Sequence, residues 1–194
     1  HCPFDLDDYL EFCYNQQVKF DCGTVVFIGD IVEAAAWNMH EKATDALSQK
    51  EEISTARKRL ADWYYVFPEA TVTLGNHDLL IARQMKKAGL SLEFMQDFGV
   101  IWNAPKTWNF VYEIIINGVR YTHGDKSSAM QVAKDSRTST VQGHRHTEGY
   151  VEYSVSDKDR IFGLQVGCGI DHKHLAFEYA KSYSKKPFIG CGAI

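Results

Sequence analysis

Two short apolar runs, each ending in a glycine followed at once by polar side chains, constrain this chain most. Thr24-Val25-Val26-Phe27-Ile28 leads into Gly29-Asp30-Ile31-Val32-Glu33, and Thr71-Val72-Thr73-Leu74 leads into Gly75-Asn76-His77-Asp78. The first run is short and wholly apolar, which predicts a central strand covered on both faces. A glycine at a strand's carboxyl end lets the backbone turn sharply and leaves space in front of it for ions or substrate. Both runs therefore aim polar side chains at one rim of a sheet.

Histidines extend the pattern. His1 stands first, His123-Gly124 follows Val119-Arg120-Tyr121-Thr122, and Gly143-His144-Arg145-His146 follows Ser139-Thr140-Val141-Gln142. Imidazole, carboxylate and amide oxygen together suit a pair of first-row divalent metals. The spacing His144-x-His146 puts both rings on one side of an extended segment, so each can reach a different ion. Asp30, with two carboxylate oxygens, is the natural bridge. Two cations about 3.5–4 Å apart would clamp a phosphate and activate a water.

Between these blocks the elements alternate. Asp5–Gln16 carries Leu6, Tyr9, Leu10 and Cys13 at helical spacing, and residues 34–65 predict helix, broken near Leu47-Ser48. A further helix covers Leu79–Ala88 and stops at Gly89, in the position glycine favours. Asn117-Gly118 between Val111–Ile116 and Val119–Thr122 is a hairpin signal. A polar helix over Ser127–Asp135 and an antiparallel pair, Glu148–Val155 with Arg160–Val166, complete the pattern. Strand–helix units come first and strand-rich segments later, which predicts a mixed α/β chain.

The 194 residues suit one domain with an independent core, without repeats or a dividing linker. A net charge of −4 gives no basic field for bulk nucleic-acid binding. No apolar run approaches the roughly 20 residues of a membrane helix, and no signal peptide is visible. Five scattered cysteines without a CxxC pair predict reduced thiols and a cytoplasmic location. The opening without methionine and the strand-like ending Phe188–Ile194 lead us to expect a domain, residues 1–194, trimmed at both termini.

The order Gly-Asp-x-x-Glu, Gly-Asn-His-Asp, His-Gly, Gly-His-x-His resembles the calcineurin-like metallophosphoesterases, over His1 to His146. In length the chain is similar to their small bacterial and phage members. The resemblance implies a four-layer αββα sandwich with a dinuclear metal site at the strand carboxyl ends. It implies His1, Asp30 and His146 on the first ion, and Asn76, His123 and His144 on the second, with Asp30 bridging. The ions would be manganese, iron, zinc, nickel or cobalt, with manganese favoured. His77 matches the family's histidine that assists the leaving oxygen, and Glu33 the carboxylate that orients it. The family's motif opens with an aspartate two positions ahead of the residue matched by His1. The implied reaction is in-line attack of a metal-bound hydroxide on phosphorus.

A phosphodiesterase or nuclease is the favoured expectation, acting on a phosphoester that can be a nucleotide or nucleic acid. A phosphomonoesterase is the alternative, and a non-catalytic scaffold on the same fold is one of another class. Neither a membrane nor an obligate protein partner is expected. The segments 34–54 and 99–109 would set how open the cleft is. Arg83 and His40 are candidate substrate contacts. Asp78 is expected to stabilise its loop at the start of the following helix. His172 and His174 are expected to be structural or exposed, Arg145 to point away from the two histidines it separates, and the four tryptophans to serve packing.

Overall fold

Parallel pairing brings the glycine-terminated strands together at one rim. The computed structural model describes residues 1–38, 46–174 and 184–194. Strand β1 (Val26–Phe27) pairs in parallel with β2 (Ala70–Thr73), which pairs in parallel with β3 (Trp108–Val111). With Phe27 opposite Val72, the chain leaves both strands at the same level, through Gly29-Asp30 and Gly75-Asn76. A second sheet has the order β4 (Glu113–Ile116), β5 (Val119–Thr122), β6 (Ser139–Gln142), β8 (Arg160–Gln165), β7 (Tyr150–Val155). Its three middle strands are parallel, with Thr122 opposite Gln142 and Gln142 opposite Gln165. His123 and Gly143-His144 therefore emerge side by side.

Helices bury their apolar stripes on these sheets. Helix α2 (Gln49–Val66) begins at Ser48, whose hydroxyl accepts from the Glu51 N–H while the Glu51 carboxylate takes the Ser48 N–H. This reciprocal capping supplies orphan donors at the first turn with partners. Its residues Ala56, Leu60 and Trp63 recur at helical spacing and pack with Val72, Phe67 and Trp108 into the main core. Helix α1 (Tyr9–Lys19) adds Tyr9, Leu10 and Cys13 to this core, and α3 (Leu80–Lys87) adds Leu80 and Ile81. A short α4 (Phe98–Ile101) precedes β3. Helix α5 (Ala129–Ser136) buries Met130 and Ala133 with Ile161 of β8.

Several sequence expectations need correction. The first helix starts at Tyr9 and not Asp5, because Asp5 bridges to Ile170 and the Leu6 N–H donates to the Gly169 carbonyl. These contacts keep Asp5 and Leu6 out of the helix. The 24–28 run contributes only Val26–Phe27 and lies at a sheet edge, with β2 as its sole ladder partner among the described residues. Its apolar character comes from packing Phe27 on Trp63, Phe67 and Trp108, not from strands on both sides. Of the long 34–65 helix, Ala35–Trp37 is a 3-10 turn and the α-helix begins at Gln49, after the break expected near Ser48. Strand β3 is absent from the sequence reading, in which Trp108 and Asn109 belong to the 99–109 segment and Val111 to the hairpin. That hairpin does form, with Asn117 and Gly118 both at positive φ (50° and 77°).

The result is a mixed α/β chain of five α-helices and two open sheets among the described residues. None of those helices is long and apolar enough to cross a membrane.

Candidate metal centre

Asp30 lies where the two sheets' loops meet, 3 % exposed. Its backbone sits in the left-handed region (φ 49°), directly after Gly29, also at positive φ. Gly75 allows the approach: a Cβ there would fall 2.1 Å from Asp30 Oδ1 and 2.6 Å from its nitrogen. Asp78 ties the two loops together, with Oδ2 accepting from the N–H groups of Asp30 (2.8 Å) and Gly75 (2.8 Å). Its Oδ1 accepts from Val32 N–H at 3.4 Å. Asp78 thus stabilises its loop as expected, but by gripping the neighbouring loop and not by capping the helix that follows. Burial, and then the adjacent Asp30 carboxylate, push its carboxyl up to about 6.

On one side of Asp30 stand Asn76, His123 and His144. His123 Nδ1 is 2.8 Å from the Ile28 carbonyl, so it carries the hydrogen and donates it. Its Nε2 faces Asp30 Oδ2 at 3.2 Å, Asn76 Oδ1 at 3.0 Å and His144 Nδ1 at 3.1 Å. Asn76 Oδ1 and His144 Nδ1 are themselves 2.9 Å apart. His144 is another non-glycine residue at positive φ (67°).

On the other side stand His1 and His146. Their Nε2 atoms are 3.0 Å apart, and His1 Nδ1 is 2.6 Å from Glu33 Oε2. A carboxylate behind a ring nitrogen fixes the tautomer and leaves the opposite nitrogen free to coordinate. Burial holds the His146 imidazole down to about 4, so it is neutral at pH 7. His1, Asp30 and His146 present donor atoms within 4.8 Å of one another, and so do Asp30, His123 and His144. Asp30 belongs to both groups. Although burial opposes it, facing His123 and then His77 keeps this carboxyl well below the usual carboxylate range.

A donor set like this fits divalent cations. Buried oxygens and imidazole nitrogens converge at 2.9–3.2 Å with too few protons to pair every contact. Electron-rich atoms packed so closely need a cation or added protons between them. Glu33, 0 % exposed, also leaves its Oε1 without a hydrogen bond among the described residues.

Compared with protein-family models, curated proteins and solved structures, the chain matches none. The centre therefore has to be interpreted from its own geometry.

His77 stands apart from the two donor groups that share Asp30. Its backbone N–H donates to Asp30 Oδ1 (2.8 Å), and its ring Nδ1 lies 2.7 Å from the Glu33 carbonyl and 3.3 Å from Glu33 Oε1. Burial alone would lower this imidazole, but Glu33 and then Asp30 outweigh it and raise it to about 9. His77 is therefore cationic at neutral pH in the metal-free protein. Together with His1 and Glu33 it forms a third convergent group.

Arg83 is exposed on α3, and His40 lies outside the described residues. Arg145 is engaged with Glu148 (2.9 Å) and the Lys126 carbonyl (2.6 Å), away from the donor atoms. His172 is half-buried, and exposed His174 stacks on Phe4. Trp37, Trp63, Trp102 and Trp108 are all core residues, as expected of packing side chains. Glu52 escaped notice in the sequence because it reads as one of a run of surface charges. It is buried and accepts from the N–H groups of Ala35 (2.8 Å) and Ala36 (2.7 Å), holding the turn after Glu33 in place.

Proposed function

We propose that this chain is a metal-dependent phosphoester hydrolase of the calcineurin-like metallophosphoesterase kind, acting on phosphodiesters in preference to monoesters. Its two sheets and their outer helices would form the family's αββα arrangement, and the rim that carries Asp30 would be the reaction centre. The observation that carries this proposal is the sharing of Asp30 between two donor groups, with a cationic imidazole beside them.

His1, Asp30 and His146 would hold one divalent cation, and Asp30, Asn76, His123 and His144 the other. Two such cations supply charge neutralisation for a bound phosphate and a better nucleophile from water. The chain's own residues do the rest. Glu33 fixes the His77 ring through the backbone carbonyl and the carboxylate, so that Nδ1 is committed and Nε2 is free to face a substrate. Hydrolysis breaks the bond between phosphorus and the ester oxygen as the water oxygen attacks from the opposite side, the water's surplus proton passing to solvent. His77 gives its Nε2 proton to the departing oxygen, so the product leaves as an alcohol and not an alkoxide. The Glu33 carboxylate 3.3 Å from Nδ1 favours the protonated ring that a general acid requires.

The test is hydrolysis of bis-p-nitrophenyl phosphate and p-nitrophenyl phosphate by manganese-loaded protein, with and without chelator. Chelator-sensitive turnover, faster on the diester, is expected. Turnover of neither substrate together with no bound manganese would overturn the proposal and point to a scaffold role.

A further inference from the structure

Behind the donor atoms, at the ends of β6 and β8, two glutamines face each other in the core. Gln142 is 0 % exposed and Gln165 is 1 % exposed, and the strand register sets them opposite one another. Gln142 Nε2 donates to Gln165 Oε1 (3.1 Å) and to the Ser127 carbonyl (2.8 Å). Gln165 Nε2 donates to the Gly143 carbonyl. Gln142 Oε1 is buried and has no donor among the described residues.

Strand pairing alone does not call for this arrangement. Apolar side chains would fill the space without burying amides, one of them incompletely satisfied. What sets the pair apart is what it holds. Gln165 fixes the peptide immediately before His144, whose left-handed backbone turns the ring toward Asn76 and His123. Gln142 lies against the segment immediately after His123: a Cβ on Gly124 would be 3.1 Å from its amide carbon. The Gly143 N–H donating to the His123 carbonyl (3.1 Å) closes the loop between the two.

We propose that the Gln142–Gln165 pair is the positioning element for the Asn76–His123–His144 donor group, setting its affinity for a divalent cation without touching the ion. This rests on the two-cation centre proposed above. Among the described residues neither glutamine side chain hydrogen-bonds Asn76, His1 or His146, so the effect should fall chiefly on one ion.

Calorimetric titration with manganese, together with manganese electron paramagnetic resonance, tests it. Wild-type protein should bind two ions, and Asn76→Ala identifies the one held by this group. Gln165→Met, which keeps length but removes both amide contacts, should weaken that ion about tenfold and leave the other unchanged. Gln165→Asn, a smaller change, should weaken it less, and serves if the methionine variant does not fold. Thr140→Val is the control, being equally buried in β6 but with its hydroxyl bonded, among the described residues, only to the Thr138 carbonyl. It should bind both ions normally. Unaltered binding in both Gln165 variants overturns the proposal, as does equal weakening of both ions or the same loss in Thr140→Val. Absence of manganese binding in the wild type overturns the two-cation centre itself.

Discussion

Glu33→Gln offers the sharpest test of how the centre is wired. The substitution keeps the shape of a fully buried side chain and removes its charge. Without that charge, Asp30 and the Glu33 backbone carbonyl are left to oppose burial at His77, which should then titrate near its ordinary 6.5 instead of about 9. At about 1.4 kcal/mol per pH unit, the difference corresponds to about 3 kcal/mol of folding free energy. The sign follows from the direction of the shift. A histidine raised in the folded state contributes fully below 6.5, and its contribution disappears as pH rises through about 9. Urea unfolding of chelator-treated protein should therefore show a gap between wild type and Glu33→Gln at pH 6 that exceeds the gap at pH 10 by about 3 kcal/mol. NMR titration of the His77 ring protons provides the independent measurement. A ring still titrating near 9 in the variant, or a gap indifferent to pH, would refute the coupling.

Other substitutions divide the centre into parts. His77→Ala should keep two ions by elemental analysis and lose roughly 10²–10⁴-fold in turnover of a chromogenic diester; wild-type rates would remove the general-acid role. Asp30→Asn should lower the content of both ions, since one carboxylate serves both groups, and two tightly bound ions would contradict the bridge. Gly75→Ala places a carbon 2.1 Å from Asp30 Oδ1. It should cost about 1–3 kcal/mol in chemical denaturation and reduce metal uptake. Normal metal uptake in that variant would mean the Asp30 loop can shift without consequence.

Much of the centre could be read from the sequence because its donors follow strand ends directly. Asp30, Asn76, His123 and His144 each sit beside a glycine, and parallel register alone suffices to gather them. His146 follows from its spacing to His144 and His1 from the family resemblance, and their Nε2 atoms lie 3.0 Å apart. What supports the donors was not legible. Gln142 and Gln165 read as ordinary polar strand residues, because their partners are 15 to 23 positions away or on backbone carbonyls. Asp78 grips Asp30 across 48 positions, a contact that no local pattern encodes. Strand β3 was obscured for a related reason. Its pairing with β2 is long-range, while the Asn117-Gly118 turn drew Val111 into the neighbouring hairpin.

Asp30 and His144 carry their donor atoms on backbones that residues with a Cβ seldom adopt (φ 49° and 67°). Each such conformation costs about 1–2 kcal/mol relative to what glycine would bear there. Thermostability and chemistry therefore pull these two positions in opposite directions. A redesign scored on folding energy alone would exchange both for glycine, and would yield a sturdier protein with an emptied centre.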